Sequence, residues 1–304
     1  MNLKRSVAVW LVGLVTVGVV GAQETAAPTR FTMGGSFRLR QEAFDNLPIR
    51  ADPPGVTRGG PNNYIRFRSQ LWSQYELHEK VTLYGRLCNE FRHYYDPDSN
   101  TGSDFPDELI VDNLYVNFHH LLADESLAVR IGRQDLFFGP GRPFGNGRLI
   151  LEGTPKDGSR TIYFDAVRAT WKKGATQVDA IGLYNRADGE FLINDQDRDL
   201  TGYTSAYNDM DEYGGMLHAA FAATPDLGAE SYYLYKVESR WDNGALRMPK
   251  ADLHTVGGRL APRFSDRLSS SLEAAFQIGE RNGKAASRLP LNRSENRSAR
   301  RPPT

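Results

Sequence analysis

The sequence predicts an all-β protein, an antiparallel transmembrane β-barrel, and three observations carry that prediction. Apolar residues recur at every second position over runs of about ten residues, the length of a membrane-crossing strand. The positions between them hold arginines and carboxylates more often than neutral polar residues. The connections alternate short and long, as they do between the two rims of an outer-membrane barrel.

The N-terminal segment comes first. Lys4 and Arg5 precede an apolar stretch from Val7 to Val20, which ends in Val20-Gly21-Ala22. A charged start, a short apolar stretch and small residues before a polar segment read as an export signal cleaved after Ala22. Residues 1–22 are therefore expected to be a leader, 23–280 an outer-membrane barrel domain and 281–304 an atypical, polar, unstructured tail.

Within the barrel domain, Phe37 and Leu39 oppose Ser36, Arg38, Arg40 and Glu42. From Tyr64 to Leu77, the residues Ile65, Phe67, Leu71, Tyr75 and Leu77 share one face. Arg66, Arg68, Gln70, Trp72, Gln74 and Glu76 share the other. After the polar turn His78-Glu79-Lys80, the run Val81, Leu83, Leu87, Phe91 opposes Thr82, Tyr84, Arg86, Cys88, Glu90 and Arg92. Leu114, Val116 and Phe118 then oppose Asn113, Tyr115 and Asn117. Further strands are predicted at 126–134, 161–172, 175–185, 211–223, 228–238, 252–262 and 267–279, roughly eleven in all. Long polar connections fall at 45–62, 94–107, 135–160, 186–210 and 239–250. Tyr64, Tyr75, Phe91, Tyr163, Trp171, Tyr184 and Trp241, near strand ends, are candidates for interfacial girdles.

Composition narrows the function. Cys88 is the single cysteine, so no internal disulfide framework holds this exported chain. The 37 basic and 37 acidic residues exclude a uniformly basic nucleic-acid binder, and any anion preference must come from where charges sit. A mean hydropathy of −0.51 is compatible with a barrel, which needs apolar side chains only at alternate positions.

The candidate solute path consists of charged residues on the predicted lumen faces: Arg38, Arg40, Arg66, Arg68, Arg86, Glu90, Arg92 and Arg130. A guanidinium stays charged and can grip a carboxylate through two hydrogen bonds, so a ladder of them can pass an anionic polymer from site to site. Arg133 is counted in the path as well, on the expectation that after Leu127, Val129 and Ile131 either a bulge turns it inward or the strand has ended. The excursion from Asp135 to Arg160 is rich in Gly and Pro. It is expected to fold inward as a constriction carrying Arg142, Arg148, Asp157 and Arg160, with an ordinary external loop as the alternative. Asp165 is the expected lumen member of the Asp165/Arg168 pair.

Other chemistries find little support. The excursion lacks the Gly-Lys-Ser/Thr ending of a phosphate loop. Asp195, Asp197 and Asp199 are spaced like calcium-loop ligands, but Leu200 stands where glycine is needed. The six histidines are scattered without metal-ligand spacing. No catalytic residue, metal or cofactor is expected, and no serine sits in a recognisable nucleophile setting.

The segments GRQDL (132–136), RLILEGTPKDGSRTIYFDAVR (148–168) and ELIVDNLYVNF (108–118), in combination, resemble the alginate export family of bacterial outer-membrane proteins. The resemblance covers roughly Phe31 to Tyr235. It implies a large monomeric barrel whose basic lumen conducts an anionic polysaccharide or a uronate-like solute. Outer-membrane lipid, the barrel-assembly machinery and periplasmic export components are the implied partners. Barrels of that family are longer and end on an aromatic strand, whereas residues 281–304 here are basic and poor in apolar residues. The expectation is a C-terminally truncated or frameshifted member. Two rival functions are a barrel enzyme such as a phospholipase and a secreted soluble β-protein that binds or degrades polysaccharide.

Overall fold

The computed structural model describes residues 30–44, 62–96, 102–104, 109–138, 163–185, 211–239, 241–242, 247–248, 250–281, 284–288 and 291–297. These residues form β1 (Phe31–Phe44), β2 (Asn62–His78), β3 (Val81–Asp96), β4 (Gly102–Asp104), β5 (Ile110–Phe118), β6 (Leu127–Gln134), β7 (Phe164–Lys173) and β8 (Thr176–Asn185). There follow β9 (Glu212–Thr224), β10 (Leu227–Glu238), β11 (Trp241–Asp242), β12 (Arg247–Met248), β13 (Ala251–Ser265), β14 (Leu268–Arg281), β15 (Lys284–Arg288) and β16 (Leu291–Arg297). No helix is present among the described residues.

Fourteen of these strands make one antiparallel sheet in which nearly every long strand pairs with its neighbours in sequence. The order is β1-β2-β3-β5-β6-β7-β8-β9-β10-β13-β14-β15, with β4 beside β3 and β16 beside β14. The long strands match the expected ones one for one. Among the described residues β1 pairs only with β2, so the sheet is a barrel wall that is not closed.

Alternation decides the two faces, because successive side chains of a strand point to opposite sides. One face is apolar and bare. Leu71, Ile131, Val167, Leu217, Val256 and Phe276 are all exposed, and the register joins such residues into belts, as in Leu217↔Tyr233↔Val256↔Phe276. Phe67 and Phe91 stack on this face with ring centroids 4.4 Å apart. An apolar belt crossing all the long strands far exceeds the patches that a soluble monomer leaves in water, and lipid is the medium that removes its cost.

The other face is polar yet buried. Arg66, Arg68, Glu90, Asp179, His218 and Glu273 are all less than a tenth exposed. A single row of paired residues crosses ten strands on it: Glu76, Thr82, Asn117, Arg130, Arg168, Ile181, Met216, Leu234, Thr255 and Gln277.

Three local features depart from the simple pattern. Between β3 and β5 the register shifts: Arg86 pairs with Asn113 and Leu87 with Val111, so Asp112 is an extra, bulged residue. Gly132 has φ 125°, and a Cβ there would overlap the Leu114 carbonyl. Finally, the C-terminal segment read as unstructured supplies β15 and β16, both on the outer edge of β14. Backbone pairing needs no apolar side chains, and the open edge of β14 offers unpaired N–H and C=O groups.

Candidate functional site: the polar face of the sheet

The polar face of β1–β3 is a lattice of arginines held by few carboxylates. Arg38, Arg68 and Glu90 lie in one register row, and Arg40, Arg66 and Arg92 in the next. Arg68 Nε lies 2.7 Å from Glu90 Oε2, and Arg38 Nη2 lies 3.9 Å from the same oxygen. Glu42 is shared by Arg66 at 3.2 Å, Arg40 and the Tyr64 hydroxyl. Four arginines thus converge on two glutamates, which fixes the guanidinium planes but leaves the wall net basic among the described residues. Tyr64 belongs to this lattice and not to an outer girdle: it is buried, and its ring centroid lies 5.7 Å from Arg66 and 5.5 Å from Arg92. Tyr75 and Tyr184 are exposed, as a girdle requires.

Arg86 is compensated differently. The bulge at Asp112 aims a carboxylate at it, giving two bonds from Nε of 2.8 and 2.9 Å. Its Nη2 donates to Asp135 at 2.9 Å. Asp135 is the first residue after β6, so this bond draws the start of the long excursion across the polar face. The next residues follow it inward. Arg168 Nη1 donates to the Phe137 carbonyl at 3.1 Å, and the Phe138 ring sits 4.3 Å from that of His218 and under Arg168. Leu136 and Phe138 pack into an apolar cluster with Ala166, Ile181, Met216, Tyr232 and Ala275. Residues 135–138 are therefore folded against the inner wall.

Beneath that segment runs a chain of alternating charge across β7, β8, β9, β10 and β13. Arg168 Nε donates to Asp179 at 2.9 Å, and His218 stands 3.5 Å from Asp179 and 3.1 Å from Glu230. Arg259 Nη1 donates to Glu230 at 3.1 Å. Thr170 and Gln177 add bonds to Asp179 of 2.5 and 2.7 Å. Asp179 and His218 are almost wholly buried, so each depends on these partners for the solvation it has lost.

Towards the turn-side end the face opens into a cavity of about 800 Å³, lined by Tyr84, Tyr115, Asn117, Arg130, Lys172 and Gln177 among others. Tyr84 and Tyr115 stack at 4.9 Å, and Arg130 lies 4.2 Å over Tyr115. Among the described residues neither Arg130 nor Lys172 has a carboxylate within ion-pair distance.

Of the sequence-selected residues, Arg38, Arg40, Arg66, Arg68, Arg86, Glu90, Arg92 and Arg130 come together on this face. Arg133 and Asp165 do not. The ladder continues through Arg133 without a shift, pairing it with Leu114 and Asp165 in the phase of Ile131 and Val167. No bulge turns Arg133 inward. It bonds Asp165 at 2.9 and 3.0 Å and stacks 3.7 Å over Tyr163, a closed pair on the opposite side of the sheet. Arg168, not Asp165, is the inward member of its pair. Arg142, Arg148, Asp157 and Arg160 lie outside the described residues, as does the Asp195–Asp199 run.

Reading the sequence for arginines missed Asp112, Asp135, Asp179, His218, Glu230 and Arg259. Asp179, His218, Glu230 and Arg259 all occupy the polar phase of their strands, so a tally of every charge in that phase would have found them. Asp112 could not be found this way, because a bulge breaks the phase.

No protein-family model matches the chain, and no curated protein matches it. Among solved structures it is similar to OmpT, an outer-membrane protein of Vibrio cholerae in its trimer form, at 13% identity and a TM-score of 0.40, covering 86% of this chain and 82% of that one. An outer-membrane channel from Pseudomonas putida F1 matches at 13% identity and a TM-score of 0.35, covering 91% and 99%. OmpF of Salmonella typhi, in complex with daunomycin, matches at 8% identity and a TM-score of 0.37, covering 82% and 79%.

Proposed function

We propose that this chain forms a passive outer-membrane channel that favours anions. Acidic polysaccharide or uronate-like molecules are its solutes, as the resemblance to the alginate export family implies. The observation that carries the reading is the charge balance of the inner wall. Among the described residues of β1–β3, Arg38, Arg40, Arg66 and Arg68 share Glu42 and Glu90, with Arg92 beside them in the register, and Arg130 and Lys172 line the cavity without a carboxylate partner among the described residues. Fixed positive charge beside a water-filled path raises the local concentration of anions, while arginines already engaged by glutamate hold them weakly enough to release them. The work is conduction, with no covalent step. The leader at 1–22 sends the chain across the inner membrane, and the assembly machinery inserts it into the outer one.

Planar-bilayer recording under a salt gradient tests this. The expected result is a reversal potential on the anion side and a conductance lowered by oligouronates. Cation preference rejects the proposal, as does a product that is soluble after leader cleavage and shows no heat-modifiable gel migration.

A further inference from the structure

We infer that the inner face is divided lengthwise: solutes travel along the β1–β6 side, and the β8–β14 side is a sealed, dry wall that takes no part in conduction. This rests on the channel reading above and specifies which part of the face carries the traffic. The row of paired residues that crosses the whole sheet makes the division visible at one level. It begins as Glu76, Thr82, Asn117 and Arg130, passes the ion-paired Arg168, becomes Ile181, Met216 and Leu234, and ends in Thr255, buried and bonded by Gln277 at 3.0 Å. A barrel filled evenly with water would place polar side chains all along such a row. Here the row turns apolar at the strands that Leu136 and Phe138 cover.

Three further observations place the boundary at β7. The apolar cluster under residues 135–138 is drawn from β7, β8, β9, β10 and β14 and is nearly closed to solvent. The charges on that side, Asp179, His218, Glu230 and Arg259, are engaged with one another across strands, so they offer a passing ion little free valence. On the other side, the cavity is lined by residues of β3, β5, β6, β7 and β8, among them Arg130 and Lys172, the cations without a carboxylate partner among the described residues of that lining. Charge that is compensated and dry forms a wall, and charge that is uncompensated and wet forms a path.

Cysteine substitution at equal depth tests the division. Asn117→Cys, Met216→Cys and Ile181→Cys are each placed in the full chain, with the parent as blank because its Cys88 is fully buried. Each is treated in lipid vesicles and in bilayers with an anionic, sulfonate-bearing methanethiosulfonate. Heat-modifiable migration confirms that each variant has folded. The expected result is that Asn117→Cys reacts at least an order of magnitude faster than either of the others and that its reaction lowers the conductance. Equal reaction rates, or a block produced equally from position 216 or 181, overturn the inference. Labelling rates are read without any current, so they separate a wet side from a dry one even in a chain that proves not to prefer anions.

Discussion

The rings of Phe138 and His218 pack with centroids 4.3 Å apart and planes tilted by 40°, which ties the residues after β6 to the middle of β9. Phe138 is nearly fully buried by this contact, and His218 is held from its other sides by Asp179 and Glu230. An apolar ring laid on a buried ion chain keeps water out of the chain, which strengthens every pairing within it. Phe138→Ala should therefore destabilise the folded state by about 3–5 kcal/mol, as for other buried Phe truncations. Urea unfolding in detergent measures this. Unchanged stability would show that the ring contact is incidental.

Asp179 sits between Arg168, Thr170, Gln177 and His218. Asp179→Asn removes the buried charge that Arg168 and His218 both face, and about 3–5 kcal/mol of destabilisation is expected. Replacing Arg168 and Asp179 together by Met and Leu should cost less than the two single changes summed, because no uncompensated charge is left behind. Strict additivity in that cycle contradicts the pairing.

Glu90 is the carboxylate nearest Arg68 and Arg38. Glu90→Gln should shift the reversal potential further towards anions, because two guanidinium groups lose their counter-charge. A stability loss of about 3–5 kcal/mol accompanies it, as for other broken buried pairs. A shift towards cations would place Glu90 away from the conducting path.

Gly132 is the glycine whose backbone most clearly requires it, with φ 125° and the Leu114 carbonyl where a Cβ would stand. Gly132→Ala should lower stability by more than the ~1–2 kcal/mol of a left-handed L-residue, because overlap with a neighbouring strand adds to the backbone cost. The fraction of chain showing heat-modifiable migration reports the loss. Gly182→Ala is the control, since a Cβ there meets nothing within 4 Å.

The turn between β5 and β6 carries a pH-dependent contact. The Ser126 hydroxyl donates to Asp124 at 2.6 Å and its backbone N–H at 3.3 Å, with Lys173 3.6 Å away. These interactions, the hydroxyl first, hold the Asp124 carboxyl below its ordinary range. The folded turn then binds fewer protons than the unfolded chain. Its contribution is present above the unfolded value of about 3.9 and is lost as pH falls through the depressed value. Carboxyl chemical shifts should show the titration midpoint of Asp124 rising in Ser126→Ala. An unchanged midpoint would remove the hydroxyl from the account.

The strand set was legible in the sequence, because a side chain's face follows from counting by two and the long strands pair mostly with sequence neighbours. The phases of Arg38, Arg66, Arg86 and Arg130 were readable for the same reason. Arg133 was expected in the lumen, but the ladder carries it in the phase of Ile131 and Val167, off the lumen; the bulge that was to turn it inward lies instead in β5, at Asp112. A bulge costs one residue and leaves no mark in an alternating pattern when its neighbours are also polar, as Asp112 and Asn113 are. The polar tail gave no apolar signal, yet it pairs through its backbone, a property that composition does not record.

By itself the amino-acid order determined that a sheet forms, which strands it contains, and that one side is greasy while the other is charged, since all of this is local alternation. Which arginine meets which carboxylate was decided only in three dimensions, because partners such as Arg68 and Glu90 lie on separate strands and meet through register and reach. The same holds for the inward turn of residues 135–138. Leu136 and Phe138 are ordinary apolar residues after a strand, and only the waiting apolar patch of Ile181, Met216 and Tyr232 gives them a reason to fold inward.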